Sequence, residues 1–207
     1  MFDSHAASIG GTRHRAATRT GGVAGNARLT GAVAVALLVL LAAEGVTIPF
    51  IGQLLGPHMF IGLLLVPPVA LKMASTGYRF ARYYTHDEPY VRKGPPPAFL
   101  RVLAPGVVLT TLAVFGTGIA LIFTGPPSNT LIFAHKLSFF AWVALMSLHV
   151  LGHLLELPSL ASADWRRHGG REARLAGSGL RAAALAAAIC VGIPLGVLAL
   201  SLGKPWL

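Results

Sequence analysis

The sequence predicts an all-α integral membrane protein, a bundle of about five transmembrane helices with a four-helix core and one further helix at the C-terminus. Three observations carry this. Of the 207 residues, 54% are hydrophobic and only 12% are charged, about half the charged share of an ordinary soluble domain. The apolar residues gather into runs of roughly 20, the length a helix needs to cross the hydrocarbon of a bilayer. The basic residues gather between those runs, on one side of the serpentine they define.

The opening stretch, "MFDSHAASIGGTRHRAATRTGGVAGNAR", is rich in Gly, Ala, Ser and Thr, with four Arg and one acid. It has nothing to build a core from, so residues 1–28 read as a flexible basic tail. The composition has the flavour of a transit peptide. The apolar run that follows is too long for a secretory signal peptide, and an uncleaved tail ahead of a signal anchor fits better.

Five runs qualify as spans: Leu29–Thr47, His58–Tyr78, Val102–Phe123, Leu131–Leu155 and Leu180–Leu202. Residues 29–157 thus hold a four-helix core, 158–179 a loop, and 180–207 the fifth helix, which is Ala-rich and contains Pro194. Between the first two runs, "IPFIGQLLGP" either extends the first helix or lies in the interface. "GPPSN" at Gly125–Asn129 has room only for a turn between antiparallel helices. "THDEPYVRKGPPP" at Thr85–Pro97 and "ASADWRRHGGREARLAGSG" at Ala161–Gly179 are polar loops. Pro67-Pro68 is expected to break the second helix midway.

The net charge of +10 is to be read by position. Arg13, Arg15, Arg19 and Arg28 lie in the tail. Arg79, Arg82, Arg92, Lys93 and Arg101 lie between the second and third runs, and Arg166, Arg167, Arg171, Arg174 and Arg181 between the fourth and fifth. These are fourteen of the seventeen basic residues, all on one side. The positive-inside rule places that side, with the N-terminus, in the cytoplasm and the C-terminus outside the cytoplasmic membrane. Only Lys136 and Lys204 fall on the other side, and Lys72 is inside the second run. The charge therefore reports orientation and not a nucleic-acid partner. No base-stacking motif accompanies it. The single Cys190 excludes an internal disulfide framework and any Cys-rich metal site.

The histidines are the candidate chemistry. Under this topology His58 opens the second helix and His135 lies about a turn into the fourth, both in the outer leaflet on helices that run the same way. Haem iron can take one imidazole from each of two facing helices, and ligation removes the cost of a histidine in the membrane. His149 follows His135 by fourteen positions, about 21 Å along a helix and about 40° off the same face. His153 returns to that face. Two haems stacked across a bilayer need ligands at this order of separation.

Histidines with this spacing on one membrane helix, in "HKLSFFAWVALMSLHVLGH", resemble the ligand pattern of di-haem b-type cytochromes, in particular the bacterial cytochrome b561 and hydrogenase cytochrome b group. The run from "PPVALKMASTGYRFARYY" through "YVRKGPPP" and "LRVLAPGVVL" to that helix is similar to uncharacterised actinobacterial cytochrome-b-like membrane proteins. The likeness covers Glu44–Leu157. It implies haem b and electron transfer between the quinone pool and a partner redox protein, as a subunit of a membrane oxidoreductase. The chain has no room for a large catalytic domain of its own.

The pattern is incomplete. Opposite His149, where a fourth histidine is expected, the second helix carries Lys72 with Met73 beside it. Three arrangements fit: Lys72 or Met73 as an unusual second ligand, a five-coordinate inner haem on His149 or His153 alone, or a single outer haem on His58 and His135. One haem is favoured over two. Lys72 also fits a stem snorkelling to the headgroups, or a pair with a haem propionate. Lys136 on the outer side and Arg79, Arg82 and Arg101 on the inner side are further propionate candidates. His149 and His153, with Glu156 as a third donor, would also suit zinc or copper. Glu44, a carboxylate in an apolar run, is a candidate proton carrier for a quinol, or an interfacial residue if the first helix ends near Thr47. "GTG" at Gly116–Gly118 permits close approach of a helix or a macrocycle.

A cofactor-free small transporter, or an assembly or scaffold protein, is the alternative. The chain has no inverted repeat and few midplane charges, which a transporter would use, and a scaffold leaves the same-face histidines unexplained.

Overall fold

A computed structural model describes residues 22–95, 97–126, 128–165 and 178–207, with 154–165 as backbone only. The described residues contain no strand. Among the described residues six helices run in the order α1 (Gly22–Thr47), α2 (Ile51–Tyr84), α3 (Glu88–Lys93), α4 (Ala98–Thr124), α5 (Asn129–Trp165) and α6 (Ser178–Leu202), followed by a 3-10 turn at Lys204–Trp206. All but the six-residue α3 are long and apolar enough to cross a membrane, α5 through its Asn129–His153 part. The protein is an all-α, multi-pass membrane protein, as the composition and the five runs predicted.

The helices are longer than the apolar runs. α1 already begins at Gly22, so residues 22–28 of the expected tail are helical; residues 1–21 lie outside the described part. α5 continues to Trp165, taking in the start of the expected 158–179 loop, while 166–177 lie outside. Hydropathy marks the part of a helix that sits in hydrocarbon, whereas the backbone goes on satisfying its own hydrogen bonds beyond it.

The segment after α1 is neither an extension of it nor a separate interfacial piece. The chain turns at residues 48–50, where Phe50 O accepts from Gln53 N at 2.9 Å and from Leu54 N at 2.8 Å. α2 starts at once, with one non-helical residue, Leu54 (φ −111°, ψ 22°). Pro57 explains the kink: it has no N–H, and its ring opposes the carbonyl four residues back, so the first turn yields. His58 lies one turn beyond this kink, near the start of the regular part of α2.

Pro67 and Pro68 do not break α2, which has helical dihedrals through both. Pro68 deprives Leu64 O of its usual donor. The α6 backbone closes on that carbonyl at Gly192, where a Cβ would stand 2.5 Å from Leu64 O. Only glycine allows this approach, and its Cα–H groups offer the freed carbonyl a weak partner.

By their internal contacts the residues fall into two units. One draws on Met1–Val46, Leu64–Gly94 and Ala173–Pro194, the other on Thr47–Leu63, Pro95–Glu172 and Leu195–Leu207. The first holds the buried Val33, Leu37, Leu64, Leu65 and Pro68 and a polar seam between α1 and α2. In the seam Lys72 Nζ donates to Thr30 O (2.9 Å), Thr30 Oγ1 to Ser75 Oγ (3.1 Å) and Asn26 Nδ2 to Ser75 O (3.1 Å).

The second unit packs α4 along α5. Gly106 faces Leu145, and Gly152 faces Phe99 and Leu100. Trp142 Nε1 donates to Thr111 Oγ1 at 3.0 Å. The start of α2, the end of α4 and the end of α6 share a small core of Met59, Ile122 and Ala199, and α6 approaches Phe60 at Gly196 too closely for any side chain there. Trp206 Nε1 donates to Leu121 O at 3.0 Å and ties the C-terminal turn to α4. Large apolar side chains such as Val102 (82% exposed) and Phe123 (71%) point outward. That surface suits lipid, where apolar groups have no reason to hide.

Candidate functional site

The second unit brings His58 of α2 and His135 of α5 together. Their ring centroids lie 6.3 Å apart, with the rings 73° from parallel. Both side chains are partly buried and each is held by a threonine. Thr47, the last residue of α1 and 3% exposed, lies with its Oγ1 3.1 Å from His58 Nδ1. Thr117, in α4, has its Oγ1 3.0 Å from His135 Nδ1.

The network sets the role of Thr117 toward His135. Thr117 has one hydroxyl proton, and its oxygen is 2.7 Å from Ala113 O, which can only accept. Ser138 Oγ spends its proton on His135 O at 2.9 Å, leaving a longer 3.3 Å contact with Thr117 Oγ1. The lone pairs of Thr117 Oγ1 can therefore accept from the ring at Nδ1, and the ring also meets the Val114 carbonyl. An imidazole whose outer nitrogen donates to a fixed acceptor, with the other free to ligate, is the usual arrangement around a metal.

The ring spacing has a meaning of its own. Two imidazoles ligating one metal ion from opposite sides have centroids about 6.3 Å apart, since each metal–nitrogen bond is about 2.0–2.1 Å and a ring nitrogen lies about 1.1 Å from its centroid. The observed 6.3 Å equals this sum. Gly118 completes the setting, because a Cβ there would come within 3.1 Å of His135 Cε1. Gly118 and the threonine of "GTG" thus serve the His135 ring. At Gly116, by contrast, a Cβ would meet nothing within 4 Å.

Sequence reasoning paired His58 with His135 and missed Thr47, Thr117 and Ser138. The signal available was a threonine between two glycines in an apolar helix, which was read for its glycines alone.

The other candidates are placed as follows. His149 and His153 stack edge to face on α5, with centroids 4.7 Å apart, as their i, i+4 spacing requires. The side chain of Glu156 lies outside the described residues, and among those described no group of three His, Cys, Asp or Glu could hold a metal ion. Lys72 is held in the α1–α2 seam by Thr30 O. Its amine is directed at a neighbouring backbone, neither released to the headgroups nor spare for iron without breaking that bond. Glu44 is half-buried in the last turn of α1, which ends at Thr47. Lys136 and Arg101 are exposed, and Arg79 is half-buried near the end of α2. No family model, curated protein or solved structure matches this chain.

Proposed function

We propose that this protein is a membrane b-type cytochrome subunit, passing electrons between the quinone pool and a partner redox protein. His58 and His135 would hold one haem through their imidazoles. The observation that carries this is the pair of imidazoles at metal-bridging separation, each with Nδ1 turned to a threonine hydroxyl. Two protein ligands suffice for haem, whose macrocycle supplies the other four, so the want of a three-donor cluster does not weigh against it.

Bound there, haem would supply reversible one-electron transfer. The chain's part is to hold Nε2 of both rings in line, fix their rotation through Thr47 and Thr117, and keep bulk water from the ligands. A neutral hydroxyl beside Nδ1 would polarise a ligating imidazole less than a carboxylate would. By the positive-inside rule the pair lies toward the outer face of the cytoplasmic membrane. Glu44, in the last turn of α1, is the proposed proton carrier for a quinol. Lys136, on the same side, is the propionate candidate for this haem, while Arg79 and Arg101, on the cytoplasmic side, are candidates only for an inner one. His149 and His153 are the place to look for a second haem.

The test is the absorbance spectrum of the purified protein, oxidised and dithionite-reduced, after expression with adequate haem. A b-type α-band is expected, and His135→Ala should abolish it. A haem-free protein, or an α-band unchanged in His135→Ala, would overturn the assignment.

A further inference from the structure

α5 carries a second pair of imidazoles besides the ring it turns to His58. His149 and His153 project from one side of the helix, as residues four apart must. Their ring centroids lie 4.7 Å apart, with the rings 80° from parallel. The pair begins fourteen residues after His135, about 21 Å along the helix.

The spacing sets this pair apart from the first. With metal–nitrogen bonds of about 2.0–2.1 Å and a ring nitrogen about 1.1 Å from its centroid, rings at this separation would direct bonds to a shared ion at about 95–100° to each other. That falls between the ~90° of square or octahedral sites and the ~109° of tetrahedral ones. The two rings are placed to ligate one ion side by side. They are not placed to take opposite faces of a macrocycle, and a haem here would use one ring and leave the other idle. The same i, i+4 spacing is how a single helical face offers two imidazoles to zinc.

The backbone between the rings is held in place. A Cβ at Gly152 would stand 2.8 Å from Leu100 Cδ2 and 3.3 Å from Phe99 Cε1, so the start of α4 seats closely against α5 at this level. His149 is half-buried and His153 is exposed, and His153 is the last residue of the apolar span. The pair is therefore reachable by an ion and by the solvent that would complete its shell. A preformed chelate loses little freedom on binding. Imidazole donors suit the late divalent metals, copper(II) most of all.

We propose that His149 and His153 together chelate one divalent late transition-metal ion, copper(II) more tightly than zinc. The site stands whether or not His58 and His135 hold a haem.

The test uses the full chain in detergent, freed of metal with EDTA and titrated with copper(II) and with zinc. One copper(II) should bind per chain, and its electron paramagnetic resonance should show coupling to two nitrogens. His149→Gln and His153→Gln should each weaken binding at least about tenfold, the lower end of what even an outer-shell partner is worth to a metal site. Magnesium, which prefers oxygen donors, should not compete. His135→Ala should bind copper(II) as the unaltered chain does. The unfolding temperature of His153→Gln in EDTA, expected unchanged, shows that this variant folds. Copper(II) binding that survives both glutamine changes, or coupling to a single nitrogen, would overturn the site. So would loss of the copper in His135→Ala, which would put the ion at the first pair. A second haem band that disappears in His149→Ala would give this end of α5 to haem and overturn the metal site. A chain that binds copper(II) as expected but no haem would overturn only the function proposed above.

Discussion

Thr117 Oγ1 and His135 Nδ1 stand 3.0 Å apart, and because the hydroxyl proton is committed to Ala113 O at 2.7 Å, the hydroxyl can accept from the imidazole. The contact therefore acts on the nitrogen that does not ligate, and reaches a bound metal only through the electronics of the ring.

Thr117→Val keeps the shape of the side chain and removes the acceptor. An imidazole that no longer donates at Nδ1 is a slightly poorer electron donor at Nε2, and the oxidised metal loses more than the reduced. The α-band should persist and the haem midpoint potential should rise by about 40 mV, corresponding to a net hydrogen bond of about 1 kcal/mol. A spectroelectrochemical titration measures it. Thr117→Ser, which restores the hydroxyl, should return the potential to within a few millivolts.

Gly116 and Gly118 lie two residues apart and should respond oppositely. An added methyl at Gly118 comes within 3.1 Å of His135 Cε1, whereas one at Gly116 meets nothing within 4 Å. Gly118→Ala should force the ring off its axis at a cost of about 1–3 kcal/mol and reduce haem retained after dialysis against apomyoglobin by fivefold or more. Gly116→Ala should retain haem like the unaltered protein.

The spans were legible in the sequence because hydropathy and basic-residue placement report the same thing, the position of the bilayer. Helix ends were not, since Gly22–Arg28 and the start of the expected 158–179 loop are held by backbone bonds that leave no mark in hydropathy. The Pro67-Pro68 pair misled because its consequence depends on a residue more than a hundred positions away, Gly192. His58 and His135 could be paired from topology alone. Thr47 and Thr117 could not, because a hydroxyl in a membrane helix ordinarily bonds its own backbone, as Thr111 does with Val107 O at 2.7 Å. Only the packing shows which threonine also meets a histidine.

Gly192 supplies the test of that packing. A Cβ there would stand 2.5 Å from Leu64 O, a backbone atom that cannot swing aside. Gly192→Ala should therefore separate α6 from α2 locally and destabilise by about 2–3 kcal/mol, seen as a clear drop in unfolding temperature in detergent. At Gly31 a Cβ meets nothing within 4 Å, and Gly31→Ala should be neutral or gain up to about 1 kcal/mol of helix propensity.

The docking of α3 should weaken in alkali. Burial, then the charge and hydrogen bond of Tyr78, raise the Tyr90 phenol above its model-compound value of 10.0. A group whose folded pKa is raised contributes its full stabilisation below the unfolded pKa and loses it as pH climbs through the folded value. That docking should therefore be firm at neutral pH and loosen above about pH 10, as the Tyr90 phenolate forms against Tyr78. Hydrogen exchange over residues 88–93, extrapolated for intrinsic base catalysis, reads the opening directly. Tyr90→Phe removes the titrating group but keeps the ring against Tyr78, so its opening should be nearly flat through that window. If the variant opened with the same pH dependence as the unaltered chain, the transition would not belong to Tyr90.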